Sequence, residues 1–334
     1  MSKKKYWQIA AGSERYGRDY ADYFLRHGIA FVGREYDAMG EVDVGDVVLL
    51  KRGVSKVVAV GEVVARNGVH RGKDDKDWLC DFDGWNLGAY CYVDWGVPAK
   101  PIQTNGLTRT AIQRAWKDKH HTLADKLLSL PIQPLEPEPG PTALISDDQI
   151  LEFMIVQGLR PSAADELTDT VRKIRLLAHY YYKECWWEDM GEHETRTFLV
   201  APLLLALGWA EQQVKVELHC SGGLIDVACF SRPYERKKED CVLLIETKDF
   251  GSGLHYAPDQ ARGYAADFAN CQVLVVTNGW CYKTFPRVKK TGLFSEKPSA
   301  YMNLLQPRDK HPLDPLHTEG ALGVMKWLLP SSLR

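Results

Sequence analysis

Five prolines fall within the eleven residues from Pro131 to Pro141, PIQPLEPEPGP. Proline has no amide proton and fixes φ at about −65°, so neither a helix interior nor a central strand can run through such a segment. An extended spacer is what remains. A chain of 334 residues is then expected to pack as two parts, in line with roughly 150 residues per domain. The expected division is 1–130, a spacer over 131–145, and 146–334.

The two parts differ in pattern. The first opens with a short strand, Tyr6 to Ala11, and has apolar residues at helical spacing over 18–27, with Gly28 placed to end the helix. Strand-like runs follow at Ile29 to Gly33, Val47 to Leu50, Val57 to Ala65 and Tyr90 to Val97, with one or two helices across 108–129. Short strands punctuated by glycine predict a small β-barrel of α+β type. The second part begins at Ser146-Asp147-Asp148-Gln149, a capping-box start for a helix to about residue 157. Helices over 163–187 and 195–207 precede strands at 213–219, 224–230 and 241–248. A helix at 257–268 leads to a strand at 272–277, with further strand candidates at 280–285 and 300–305. That order predicts an α/β unit with a mixed sheet.

Composition narrows the classes. With 45% hydrophobic and 26% charged residues the chain reads as a soluble globular protein. Its longest apolar run, Phe198 to Ala206, is far short of the roughly 20 residues a membrane span needs. The basic start, Ser2-Lys3-Lys4-Lys5, has no apolar stretch behind it, so the expectation is a cytoplasmic protein with no membrane partner. The eight cysteines form no C-x-x-C pair and show no zinc spacing, and read as buried free thiols. A net charge of −2 counts against general nucleic-acid coating and leaves room only for a local basic surface. Candidate basic groups are Arg66, Arg71, Lys73 and Lys76; Arg109, Arg114, Lys117, Lys119 and His120; and Arg287, Lys289 and Lys290.

The chemistry is concentrated in Cys241-Val-Leu-Leu-Ile-Glu-Thr-Lys248. The continuous apolar run implies a strand covered on both faces. It ends in Glu246 and Lys248, which are two apart and leave the same face. Asp226 enters the preceding strand, and a hairpin through the charged loop 231–240 brings it towards Glu246. Converging carboxylates repel and need a cation, and oxygen ligands select a hard one: magnesium, with manganese as a substitute. Such a pair of metal ligands, Asp226 and Glu246, beside Lys248, suits phosphodiester hydrolysis.

This stretch resembles the PD-(D/E)XK nuclease superfamily, in the restriction-type branch found at the N-terminus of type I restriction R subunits. The resemblance spans about residues 175–305. It rests on Glu194-Thr195-Arg196 followed by Val200 to Trp209 (VAPLLLALGW), on Asp226 in GLIDVA, on Glu246 and Lys248, and on Gln260 and Tyr264 as a Q-x-x-x-Y pair. The resemblance implies catalytic roles for Glu194, Asp226, Glu246, Lys248 and Gln260. It implies that Gln260 meets the phosphate or the attacking water, while Tyr264 packs. The chain has no G-x-x-x-x-G-K-[ST], so no ATP-driven motor is expected.

The first part, through YWQIAAGS (6–13), GIAFVG (28–33), GDVVLL (45–50) and VVAVGEVV (57–64), resembles the PUA-like/EVE superfamily over about residues 5–100. That resemblance implies a reader of modified bases or RNA. A flipped base is held by stacking and edge hydrogen bonds. The aromatic candidates are Trp7, Trp78, Trp85, Tyr92 and Trp95, and the polar ones Ser13, Asn86 and Asp94. Ser13, Trp85, Asp94 and Trp95 are the preferred pocket. Together the parts suggest a modification-dependent, type IV-like restriction endonuclease acting on DNA, with modified cytosine favoured. An RNA-directed nuclease and a non-cleaving reader are the alternatives. One site cuts one strand, so a homodimer or higher oligomer is expected.

Overall fold

The computed structural model describes residues 4–13, 18–32, 36–66, 68–72, 84, 89–130, 142–183, 190–221, 223–251, 253–254 and 267–333. The chain divides into two compact units, Met1–Phe82 with Asn86–Pro139, and Asp83–Trp85 with Gly140–Arg334. Each holds a mixed sheet, and the fold is α+β.

In the first unit the strands are β1 (Tyr6–Ala10), β2 (Gly12–Ser13), β3 (Arg18–Asp19), β4 (Ile29–Val32), β5 (Val47–Arg52), β6 (Lys56–Val63), β7 (Arg71–Gly72), β8 (Ala89–Gly96), β9 (Ile102–Gln103) and β10 (Ile112–Arg114). The helices are α1 (Ala21–His27), α2 (Tyr36–Gly40) and α3 (Asp118–Leu128). The main sheet runs β10-β1-β5-β6-β8-β4, with β7 on β8 and β9 on β6. Such a strongly paired sheet is compatible with part of a barrel. Only β1 and β5 run parallel within it among the described residues. Gly28 ends α1 with φ 58°, a left-handed turn that costs glycine nothing. The sequence predicts helix over 108–129, residues 108–117 included. Instead Ile112–Arg114 forms β10 on the edge of β1, and the helix starts only at Asp118. A long-range edge pairing overrides the local helical preference there.

The second unit carries α4 (Asp147–Val156), α5 (Ala164–Lys183), α6 (Glu192–Thr195), a π-helical turn over Arg196–Val200, α7 (Ala201–Ala206) and α8 (Ala321–Leu328). Its six strands are β11 (Val214–Cys220), β12 (Gly223–Phe230), β13 (Cys241–Thr247), β14 (Val273–Thr277), β15 (Cys281–Pro286) and β16 (Ala300–Asn303), adjacent in chain order. Only the β13–β14 pair is parallel among the described residues. The sheet is mixed as expected, but it is essentially a meander with one crossover. The unit is therefore α+β in character rather than an alternating α/β array.

The capping box at the start of α4 is present: Ser146 Oγ accepts from Gln149 N at 3.2 Å, and Gln149 Oε1 accepts from Ser146 N at 2.9 Å. Strand β13 is buried at every position. Leu243, Leu244 and Ile245 thus contribute about 1.5–3 kcal/mol each from burial. Helix α8, not anticipated from the sequence, packs its Val324, Met325 and Leu328 into the same core. Strand β11 is the exposed edge, and its Lys215, Glu217 and His219 discourage pairing with another chain. Cys91 is buried in the first unit, and Cys229, Cys241, Cys271 and Cys281 in the second. No helix among the described residues is long and apolar enough to cross a membrane.

Candidate active site

The polar groups of the second unit gather where β13 and β14 end. The β12–β13 register runs from Cys229↔Leu243 to Val227↔Ile245. One step further along lie Asp226 and Glu246. The ladder stops there because the Asp226 side chain takes the next backbone donor: Thr247 N donates to Asp226 Oδ2 at 2.7 Å. Asp226 and Glu246 are 9% and 3% exposed, so both carboxylates are buried and need partners.

Each has a cation. Lys248 Nζ donates to Glu246 Oε1 at 2.9 Å and lies 3.4 Å from Glu192 Oε1. Arg196 Nη1 donates to Asp226 Oδ1 at 2.7 Å, and Arg196 Nη2 donates to Glu217 Oε1 at 2.5 Å. His193 Nδ1 stands 3.2 Å from Arg196 Nη2. Glu217 lies between two paired positions of β11, Val216↔Val227 and Leu218↔Ile225, and so opposite Asp226. Its φ of 55° puts it in the left-handed region, where a non-glycine residue is strained.

Local sequence explains the placement of Arg196. Pro202 has no amide proton for the carbonyl of Phe198, so the regular helical ladder cannot continue through this point. The chain answers with the π-helical turn at Arg196–Val200 before α7 begins. Such turns recur at functional positions. The preceding Thr195 is packed against Gly279: a Cβ on that glycine, whose φ is 92°, would lie 2.9 Å from Thr195 Cγ2 and 2.5 Å from Leu199 Cδ1. Phe250 N donates to Met190 O at 3.2 Å, which ties the segment leading into α6 to the chain just past β13. That tie brings Glu192 to Lys248.

Burial pushes the Glu246 carboxyl above the ordinary glutamate range. The Lys248 hydrogen bond and charge oppose the rise, and the charges of Asp226 and Glu192 add to it. For Lys248, burial works to lower the pKa. The hydrogen bond and charge of Glu246, with the charges of Glu192 and Asp226, outweigh it and hold the ammonium above the ordinary lysine range. Lys248 is thus a permanent cation near neutral pH. It is suited to stabilising negative charge and unsuited to taking up a proton.

Three buried polar atoms around this end of the sheet, Thr195 Oγ1, Arg196 Nε and Thr247 Oγ1, have no hydrogen-bond partner among the described residues. Among those residues no three His, Cys, Asp or Glu side chains form a ready cage for a metal ion. Magnesium does not require one: it keeps several waters and is commonly held by one or two carboxylates with substrate phosphate. A carboxylate offers about four lone-pair sites, so Asp226, with one bond on each oxygen, retains acceptor capacity. Two carboxylates from adjacent strands, within a group that also holds Glu192 and Glu217, fit such an ion.

The structure therefore brings together Asp226, Glu246 and Lys248 of the expected set. Glu194 is on α6: its Oε2 would lie 3.1 Å from a Cβ on Gly191, and its charge reaches Tyr181. Glu192, two residues earlier, meets Lys248. Gln260 and Tyr264 lie outside the described residues. Sequence reasoning missed Glu192, Arg196 and Glu217. Arg196 stood in the quoted motif, and Pro202 was the available sign that its helix would be irregular.

The first-unit candidates fare differently. Trp95 is 3% exposed and donates Nε1–H to Ile29 O at 3.0 Å, which makes it a core residue rather than an open stacking face. Asp94 precedes it on β8 and points to the other side of the sheet, opposite Glu62 on β6, so the two cannot line one pocket. Ser13 lies in β2, its side chain outside the described set, as are Trp78, Trp85 and Asn86. Trp7 is buried and donates Nε1–H to Asp46 Oδ2 at 2.8 Å. Tyr92 is partly exposed beneath the Arg66 guanidinium, 5.1 Å from its ring centre. Arg287 is engaged by the carbonyls of Cys271 and Phe268, each at 2.6 Å, which leaves it a structural role.

Comparison with family models and with curated proteins gives no match for this chain.

Proposed function

We propose that the second unit is a metal-dependent endonuclease of PD-(D/E)XK type. The observation that carries this reading is the position of Asp226 and Glu246, buried one step past the Val227↔Ile245 pair, with Lys248 held on Glu246 at 2.9 Å. Asp226 and Glu246 would hold magnesium, or manganese in its place. When bound, that ion supplies charge neutralisation at the phosphate and an acidified water. Lys248 keeps its proton and stabilises the negative charge that grows on the phosphoryl oxygens. The Thr247 amide fixes the Asp226 carboxylate through Oδ2. Burial of Glu246 keeps bulk water from competing for its oxygens.

The first unit, in this reading, is a PUA/EVE-like recognition domain, and the whole protein a modification-dependent, type IV-like restriction endonuclease acting on DNA, with modified cytosine favoured. The support is the sheet compatible with part of a barrel together with the sequence resemblance. With Trp95 in the core, the base-stacking face is better sought at Tyr92 or in the segment holding Trp78 and Trp85. Cutting of both strands would call for a homodimer or higher oligomer.

The test is digestion of unmodified, 5-methylcytosine, hydroxymethylcytosine and glucosylated DNA in magnesium, with RNA alongside. Cleavage confined to modified DNA supports the reading. Cleavage of RNA alone transfers the activity to RNA. Selective binding with no cleavage in magnesium or manganese leaves a reader and removes the nuclease.

A further inference from the structure

Resting on the nuclease reading, we infer that Arg196 is a built-in counter-ion that guards Asp226 and sets how much divalent cation the site needs. The two carboxylates that would share one divalent ion are each neutralised by a separate monovalent cation, Glu246 by Lys248 and Asp226 by Arg196. The Lys248 pair is within one strand end. The Arg196 pair is made across elements, from the π-helical turn to β12, at 2.7 Å, with side-chain exposures of only 5% and 12%. In so enclosed a place a unit charge is screened weakly. A divalent ion approaching Asp226 therefore competes directly with the guanidinium.

Three features make the guanidinium exchangeable rather than fixed. Its Nη2 already holds Glu217 at 2.5 Å, so a second acid stands ready to keep it when Asp226 is taken. Glu217 is half exposed, at 50%, and can follow the arginine without burying a bare charge. Arg196 Nε is buried without a hydrogen-bond partner among the described residues, so the guanidinium is not saturated where it sits. Arg196 holds Asp226 while the cation is absent and leans wholly on Glu217 once the cation binds. It acts through Asp226 and is a positioning residue for the ion.

The two arms of this relay predict opposite signs. Calorimetric titration of the full chain with calcium, without nucleic acid, reads the binding directly. R196Q removes the competing charge and should tighten calcium binding about tenfold. E217Q removes the alternative acid, leaves Arg196 more firmly on Asp226, and should weaken binding about threefold. D226N should abolish the wild-type heat, and should also abolish the gain in an R196Q/D226N double variant. A strut that merely orients Asp226 would lose affinity in both single variants. R196Q with unchanged or weaker binding at a wild-type melting temperature overturns the inference. So does tighter or unchanged binding in E217Q, which lies on the exposed edge strand and keeps the test open if R196Q folds poorly. Wild-type binding that survives D226N, or no binding at all, removes the nuclease site itself and the relay with it.

Discussion

Both units bury charged side chains, but they satisfy them in different currencies. In the first unit Lys51, 1% exposed, gives its ammonium to the carbonyls of Thr108 and Thr110 at 2.7 and 2.9 Å. Asp46, 2% exposed, accepts from Lys5 N at 3.0 Å, Trp7 Nε1 at 2.8 Å and Asp43 N at 3.0 Å. These partners are mainly backbone and cannot leave. At the strand ends of the second unit, the buried charges are satisfied largely by other side-chain charges: Asp226 by Arg196, and Glu246 by Lys248. Side-chain cations can yield to an incoming ion, whereas a carbonyl held in a loop or a strand amide cannot. Equal burial thus distinguishes a structural polar group from an exchangeable one only when its partners are named.

The strongest way to break the comparison is at Asp226. D226N keeps the size of the side chain and should reduce magnesium-dependent cleavage about a thousandfold or more, on the order of 4 kcal/mol in barrier, measured as single-turnover rates. A residual rate within tenfold of the wild type would mean that Asp226 is structural after all, like Asp46. Next comes Trp95→Ala in the first unit. Loss of a buried indole should cost about 3–5 kcal/mol, seen as a lowered urea midpoint. Discrimination between modified and plain DNA should persist in whatever fraction stays folded; loss of discrimination at full stability would return Trp95 to a pocket. Asp46→Ala should destabilise by about 3 kcal/mol, because three donors lose their acceptor at once. Its cleavage rate per folded molecule should match the wild type.

The smallest effect expected is in pH. The raised pKa of Glu246 means that the fold favours its protonated form. This contribution to stability is complete below the ordinary glutamate pKa and is lost as pH rises through the elevated value. Cation binding has the opposite sign, since it needs the carboxylate. Calcium affinity should therefore fall as pH is lowered, with its midpoint above the ordinary glutamate value. Lys248, also raised, contributes stability below the ordinary lysine pKa that is lost only as pH passes its elevated value. It should add no alkaline limb between neutrality and the ordinary lysine range. A midpoint at or below the ordinary glutamate value would show that Glu246 is not the titrating ligand.

The sheet of the second unit was legible because its signals are local. A strand buried on both faces writes itself as the continuous run Val242 to Ile245, and the hairpin loop between Asp226 and Glu246 is charged throughout its middle. Arg196 was not legible as a partner of Asp226, since that contact depends on a helical irregularity at Pro202 and a left-handed residue at Glu217. The meeting of Glu192 with Lys248 was not legible for a related reason: phase along a short helix depends on where the chain docks, here through Met190 and Phe250. The pairing of Asp94 with Trp95 could have been refused from sequence alone, because neighbours on a strand face opposite ways. Strand β10 depends on a partner more than a hundred residues away, and helix α8 packs on β16 and α4 and accepts from Trp209 Nε1 at Leu328 O, none of which periodicity registers.

The buried thiols carry a separate consequence. Burial pushes Cys91 up to about 12 and also raises Cys229 and Cys241, so in the native state these sulfurs are neither ionised nor reachable by an alkylating reagent. They become reactive only when the strand that holds them opens. Cys91 lies in β8 of the first unit, and Cys229 and Cys241 in β12 and β13 of the second. The chain thereby contains its own pair of clocks, and site-resolved alkylation would time the breathing of each sheet independently, without introducing a label.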